Sequence, residues 1–388
     1  MPATLDTNTV SRTVARLRAS GVDLIDLTES NPTRAGIDYP ADLLVPFADG
    51  RGLAYRPEAL GLLDARRAVS ADFARRGIDM PADRIALTAS TSEAYSLLFK
   101  LLCDPGDTVL VPQPSYPLFE HLTRLDCVRA VPYQLEYHGR WSIDFDSVAR
   151  ALDDRTRAVL LVNPNNPTGN YVSAADLERM AALCAPRGIA LISDEVFADY
   201  ELEPDPHVPR AQLAGRDDLL GFTLGGLSKS IGMPQVKLGW IGVSGSHPIV
   251  GETMPALELV CDTYLSVSTP VQLAAPALLQ HGAAVRRQIL DRVRRNLSTC
   301  AALVADSPAC TLLHAEGGWS AVLRVPTLMP EEDLMLRLLT ESSVLVHAGY
   351  FFDFPTESYL IVSLLPPDAT FAAGVSRILG HFRPERLA

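Results

Sequence analysis

Ala158-Val-Leu-Leu-Val-Asn-Pro-Asn-Asn-Pro-Thr-Gly169 joins a short apolar run to a turn made of two prolines, three asparagines and a glycine. The run reads as a buried strand, since it is continuous, short and bounded by turn residues. The turn follows a rigid non-helical path, because proline fixes φ and glycine admits backbone that other residues avoid. It is open to two readings. One is a plain turn that caps a helix beginning at Ser173. The other is a ligand loop whose asparagine amides donate to an oxygen.

The same grammar repeats on both sides. Ile189–Ile192 runs into Ser193-Asp-Glu195, and Phe222–Leu224 runs into Gly225-Gly-Leu-Ser-Lys-Ser230. Further strand candidates are Ile85–Thr88, Thr108–Val111, Val128–Tyr133 and Trp240–Val243. Helix candidates between them are Ser92–Cys103, Tyr116–Leu125, Asp146–Leu152 and Ser173–Ala185. Alternation of this kind predicts an α/β fold, a mostly parallel sheet of the seven-stranded type with helices on both faces. Such sheets bind ligands at the carboxyl ends of their strands, where all these polar turns fall.

Before the sheet, Asn8 caps a helix running to about Ser20, Leu24–Leu27 is a short strand, and Gly61–Arg76 is an amphipathic helix. After Pro270 the texture changes. A long helix from Gln272 to about Val304, broken near Gly282, precedes strands at Trp319–Val325, Val344–Val346 and Tyr359–Leu364 and helices at Glu331–Leu339 and Asp368–Leu379. This predicts a large domain over residues 46–285. Residues 1–45 and 286–388 form an N-terminal arm and a smaller α+β domain.

Bulk properties narrow the function. At 388 residues with 47% apolar and 21% charged content, the chain is that of a soluble globular protein with two domains. A net charge of −12 argues against a nucleic-acid or anionic-membrane surface. No stretch reaches transmembrane length, and the N-terminus has no signal-peptide core, so a cytoplasmic location is expected. Six scattered cysteines without a Cys-x-x-Cys pair read as buried free thiols, and no metal site is expected.

Of the 34 basic residues only Lys100, Lys229 and Lys237 are lysines. Arginine supplies charge but cannot form a Schiff base, so a lysine in a strand-end turn is a candidate nucleophile. Ser-Lys-Ser alone is also what a surface lysine looks like. Asp194 ends an apolar run, where a carboxylate is costly unless it caps a helix or meets a cation. Ser90, Thr91 and Ser92 join a strand to a helix, an anion site by virtue of free N–H groups and the helix dipole.

Taken together, these motifs resemble the class I/II aminotransferase family of fold-type I pyridoxal-phosphate enzymes, over nearly the whole chain. The resemblance implies that Lys229 forms the Schiff base with pyridoxal 5′-phosphate and that Asp194 pairs with its ring nitrogen. It implies that Asn166 donates to the cofactor's phenolic oxygen and that Tyr116 stacks on the ring. Ser90, Thr91, Ser92, Ser228 and Lys237 fall at phosphate-contact positions. Lys237 stands where the family has an arginine, and Gly226 where serine is frequent. Tyr55 resembles a tyrosine that reaches the phosphate of the neighbouring subunit, which implies a homodimer with active sites at the interface.

Two departures stand out. The family's Asp-Glu-x-Tyr reads Asp194-Glu-Val-Phe197 here, so a phenol is missing beside the cofactor. The late-strand arginine that binds the substrate carboxylate is replaced by Ile361 in Tyr359-Leu-Ile-Val-Ser363. No arginine lies between Arg337 and Arg377, so a shift of register supplies none. Arg34, beyond the N-terminal loop, is the expected replacement. The resulting expectation is an aminotransferase moving an amino group between an amino acid, or a related amine, and a keto acid. The alternative is a lyase, cyclase or oxidase on the same fold and cofactor, for which Phe197 and Ile361 speak. A cofactor-binding regulator without turnover is disfavoured by the lack of a basic recognition helix.

Overall fold

The computed structural model describes residues 8–356 and 358–383. Residues 1–7 of the N-terminal arm and 384–388 of the C-terminal segment lie outside this range. Eight strands form the large sheet. Their spatial order is Ile85–Thr88, Gly239–Ser244, Gly221–Gly226, Ala190–Asp194, Thr156–Val162, Thr108–Gln113, Arg129–Tyr137 and Trp141–Ile143. Five adjacent strands, from Gly221–Gly226 to Arg129–Tyr137, are parallel. Gly239–Ser244 is antiparallel to both of its neighbours.

The eighth strand corrects the expected seven. Trp141–Ile143 returns antiparallel along Arg129–Tyr137. Three residues are too few for a period-two pattern to be read in the sequence.

The apolar runs are continuous because the central strands are covered on both faces. Successive side chains of a strand point to opposite faces. Val159 and Leu161 therefore enter one apolar layer with Leu177 and Met180, while Ala158, Leu160 and Val162 enter the other with Leu98 and Phe99.

A second, antiparallel sheet has the order Thr311–Leu312, Ser320–Arg324, Tyr359–Ser363 and His347–Ala348. Ile25–Asp26 pairs in parallel with Val344–Leu345, which ties the N-terminal arm to this unit. The long helix is broken where expected, into Thr269–His281 and Ala283–Ala305 at Gly282.

Helix His247–Tyr264 was not legible in the sequence, because Pro248, Gly251 and Pro255 read as breakers. Pro248 sits in the first turn, where a missing N–H costs nothing, and Pro255 is accommodated inside the helix. Tyr116 also lies outside its predicted helix, which starts at Phe119. Four cysteines are buried, but Cys103 is half-buried and Cys127 is exposed, so the expectation of buried thiols holds only in part. Among the described residues no helix is long and apolar enough to cross a membrane, and no cluster suits a metal ion.

Candidate active site

The strand ends converge on a cavity of about 340 Å³. Ser90, Thr91, Ser92, Tyr116, Asn166, Asp194, Phe197, Ser228 and Lys229 all line it, and so does Ile361. Three sequence-derived candidates do not. Arg34 is exposed on the turn Pro32–Arg34; Thr28 and Ser30 of the preceding loop reach the cavity and the chain then turns outward. Lys237 is exposed, with left-handed backbone (φ 61°) after the turn Pro234–Val236. Tyr55 is 72% exposed on a surface loop.

The Lys229 turn is held from three directions. Tyr200 Oη donates to the Lys229 carbonyl, Arg286 Nε to that of Ser230 (2.8 Å) and Tyr39 Oη to that of Gly232 (2.6 Å). These bonds hold carbonyls at the end of a four-residue helix, and that of Lys229 also accepts from the Gly232 N–H (3.2 Å). The turn sits against the sheet because Gly225 carries no side chain: a Cβ there would lie 2.5 Å from Trp240 Nε1.

The Lys229 amine lies 5.0 Å from the ring centroid of Trp319 and 5.5 Å from that of Phe197. Burial pulls its pKa down to about 8, and the attraction of Asp194 only partly opposes this. At pH 7 about a tenth of such amines are neutral, several hundredfold more than at a pKa of 10.5. A neutral amine is the nucleophilic form.

Asp194 is buried at the end of its strand. It accepts from Tyr95 Oη at Oδ2 (2.8 Å) and from the Val196 N–H at Oδ1 (3.1 Å). Burial nevertheless raises its pKa to about 6, outweighing both bonds and the nearby Lys229. Among the described residues it forms no ion pair. Tyr95, a cavity-lining residue missed in the sequence, orients Asp194 through its hydroxyl hydrogen bond. Its only signal was its position one turn into the helix Thr91–Leu102, on the face that carries the Ser90–Ser92 turn. Its own pKa is pushed well above the ordinary value by burial and then by Asp194.

The three asparagines of the quoted loop divide by role. Asn163 Oδ1 accepts from the Val172 N–H (3.0 Å). Asn165 accepts from Ser115 Oγ (2.8 Å) and donates to the Pro114 carbonyl (3.0 Å) and Thr168 Oγ1 (2.6 Å). Both build the turn. Asn166 alone turns to the cavity, its side-chain amide without a protein partner among the described residues. Gly169 has φ +74°, and a Cβ would lie 2.8 Å from the Gly317 carbonyl oxygen, so only glycine closes this turn. The turn reading accounts for Asn163 and Asn165, and Asn166 is the asparagine of the three that lines the cavity.

At the helix N-terminus Ser90 Oγ accepts from the Glu93 N–H (3.1 Å), and Glu93 reaches back to the Ala89 N–H. Thr91 and Ser92 line the cavity, and their first-turn N–H groups have no acceptor among the described residues. The site thus offers a buried carboxylate without an ion-pair partner among the described residues, a depressed-pKa amine, an unpartnered amide and a helix N-terminus suited to an anion. A flat cationic ring bearing a carbonyl and a phosphate satisfies all four, and the residues fit pyridoxal 5′-phosphate.

Comparison with known proteins agrees with this geometry. The family described as aminotransferase class I and II matches residues 23–378. An alanine aminotransferase of Mycobacterium tuberculosis (strain ATCC 25618 / H37Rv) is 27% identical over 394 residues, covering 96% of this chain and 88% of its own. A glutamate-pyruvate aminotransferase of Escherichia coli (strain K12) is 25% identical over 370 residues, with 92% and 90% covered. Among solved structures, an alanine aminotransferase from Pyrococcus furiosus superposes with TM-score 0.86 at 23% identity, covering 96% of this chain and 95% of that one.

Proposed function

This chain belongs to the class I and II aminotransferases and is an aminotransferase of fold type I, and on that premise we propose that it holds pyridoxal 5′-phosphate on Lys229 and exchanges an amino group between an amino acid and a keto acid. What carries the reading is one juxtaposition: a lysine with pKa about 8 shares a cavity with a buried carboxylate that lacks a cation. Nothing in the comparisons favours elimination, cyclisation or oxidation.

Bound in this site, pyridoxal phosphate supplies an electron sink that weakens the Cα–H bond of an attached amino acid. Lys229 would hold it covalently, and its Nζ, when free, would be the base that takes the Cα proton and delivers it to the cofactor. Asp194, oriented by Tyr95 and the Val196 N–H, keeps a positive charge on the ring nitrogen. Thr91 and Ser92 would take the phosphate with backbone N–H groups, assisted by Ser228. Asn166 donates to the phenolic oxygen without the help of a phenol at position 197. Tyr116, held edge-on to Phe119 (centroids 6.0 Å apart), would cover the ring.

The test is borohydride reduction of the yellow holoenzyme followed by peptide mapping. The cofactor mass is expected on the peptide that holds Lys229. Recovery on Lys100 or Lys237 would remove the assignment.

We further propose a homodimer. Leu44, Val45, Leu53 and Tyr55 are exposed on one segment, and Leu259, Tyr264 and Leu265 on and just after helix His247–Tyr264. Leu53 is 95% exposed, an uncompensated cost that a second copy removes. Leu53→Glu is expected to weaken the dimer at least about tenfold, roughly the 1.4 kcal/mol of part of one buried leucine. Sedimentation equilibrium measures it; an unchanged dissociation constant would place the interface elsewhere.

A further inference from the structure

We propose that His347 binds the substrate carboxylate, in place of the arginine that Ile361 displaces; this rests on the aminotransferase reading above. Among the described residues no arginine lines the cavity. The basic side chains among the described residues that line it are Lys229 and His347, and on the aminotransferase reading Lys229 is taken up by the cofactor.

The sheet puts His347 where the lost guanidinium would reach. His347 and Ile361 are directly opposed in an antiparallel pair, and both line the cavity. Opposed residues project from the same face, with Cβ atoms about 4.5–5.5 Å apart. An imidazole at 347 therefore covers the space beside position 361. Ile361 is 2% exposed and packs in an apolar layer with Val322, so position 361 itself offers no donor.

The ring is also held and free to bind. Phe351 and Phe352 meet it edge-on, at centroid distances of 5.6 and 5.7 Å. Neither ring nitrogen has a hydrogen-bond partner among the described residues. A neutral imidazole donates one N–H, where an arginine would donate a fork of two. The substrate class that suits this wall is a monocarboxylate, since among the described residues no further basic side chain lines the cavity for a second acid group.

The experiment uses holoenzyme and two isosteric probes, propionate and propionamide, with binding measured by calorimetry. Propionate is expected to bind the unmodified holoenzyme more tightly than propionamide. His347→Phe keeps the ring packing and removes only the nitrogens. It is expected to weaken propionate at least about tenfold, close to 1.4 kcal/mol, and to leave propionamide unchanged. His347→Gln retains a donor and should stay within roughly threefold of the unmodified enzyme, as expected where one hydrogen bond is replaced by another.

Three outcomes overturn the proposal: no preference for propionate in the unmodified enzyme, equal weakening of both probes, or unchanged propionate binding in His347→Phe. Arg34→Ala, run in parallel, should leave propionate binding intact; a selective loss there would assign the carboxylate to Arg34. Binding is read without turnover, so a failure here stands apart from a failure of cofactor attachment at Lys229.

Discussion

Replacing Lys229 by alanine or by arginine is expected to lower amino-group transfer by about 10²–10⁴, the range over which a positioned acid–base group acts, and to abolish borohydride-stable cofactor attachment. Arginine is the more instructive variant. It keeps the charge and nearly the length of the side chain, so it separates electrostatics from chemistry. Lysine can lose its proton in this cavity because burial brings its pKa to about 8. Guanidinium stays protonated and can neither attack a carbonyl nor accept the Cα proton.

Folding should survive both changes. The turn is fixed through its backbone carbonyls by Tyr200, Arg286 and Tyr39, not through the lysine side chain. Stopped-flow absorbance of the amino-donor half-reaction measures the rate, and thermal unfolding checks integrity. Lys229→Arg retaining more than a tenth of the activity would remove Lys229 as the base.

Much of this site was legible before any coordinates, because it sits at strand ends. Asp194, Asn166 and Lys229 each follow a continuous apolar run, and period and turn chemistry locate such positions. Tyr95 escaped because its signal is tertiary. In the sequence it is one more buried aromatic of an amphipathic helix, and only packing brings its hydroxyl to Asp194. His347 escaped for a related reason. Its meaning comes from the residue opposite it across two strands, and His347–Ala348 is only two residues long.

Arg34 shows the converse error. A cation near a cavity-lining loop satisfied the charge requirement, but the backbone turns away two residues after the wall. Counting charges identified the need for a donor; strand register points to His347 as its place. The asparagines teach the same lesson on a smaller scale. Composition could not tell Asn166 from Asn165, since only the hydrogen bonds of Asn165 to Pro114 and Thr168 reveal it as scaffolding.

Asp194→Asn is expected to stabilise the cofactor-free protein at neutral pH and to destabilise the holoenzyme. The folded pKa of Asp194, about 6, lies above its ordinary value of 3.8. Below about pH 4 the carboxyl is protonated in folded and unfolded chains alike, and burial costs nothing through this group. Between about pH 4 and 6 the folded chain holds a proton that the unfolded chain has released, so stability falls as pH rises. Above pH 6 the full cost remains, roughly 3 kcal/mol for a shift of about two units. Asparagine cannot ionise and removes this term. It also loses one of the two acceptors that serve Tyr95 and Val196, so the net gain is about 1–3 kcal/mol at pH 7 and none at pH 3.5. With pyridoxal phosphate bound, the sign reverses. A protonated ring nitrogen supplies the cation that the buried carboxylate lacks, and asparagine cannot hold that charge. Cofactor affinity and transfer rate should both drop by at least about 10², in keeping with a charged partner worth about 3 kcal/mol. Thermal unfolding of both proteins, with and without the cofactor and at two pH values, checks the prediction. A shift of the same sign in the apo and holo forms would show that Asp194 is a structural carboxylate and not the partner of the ring.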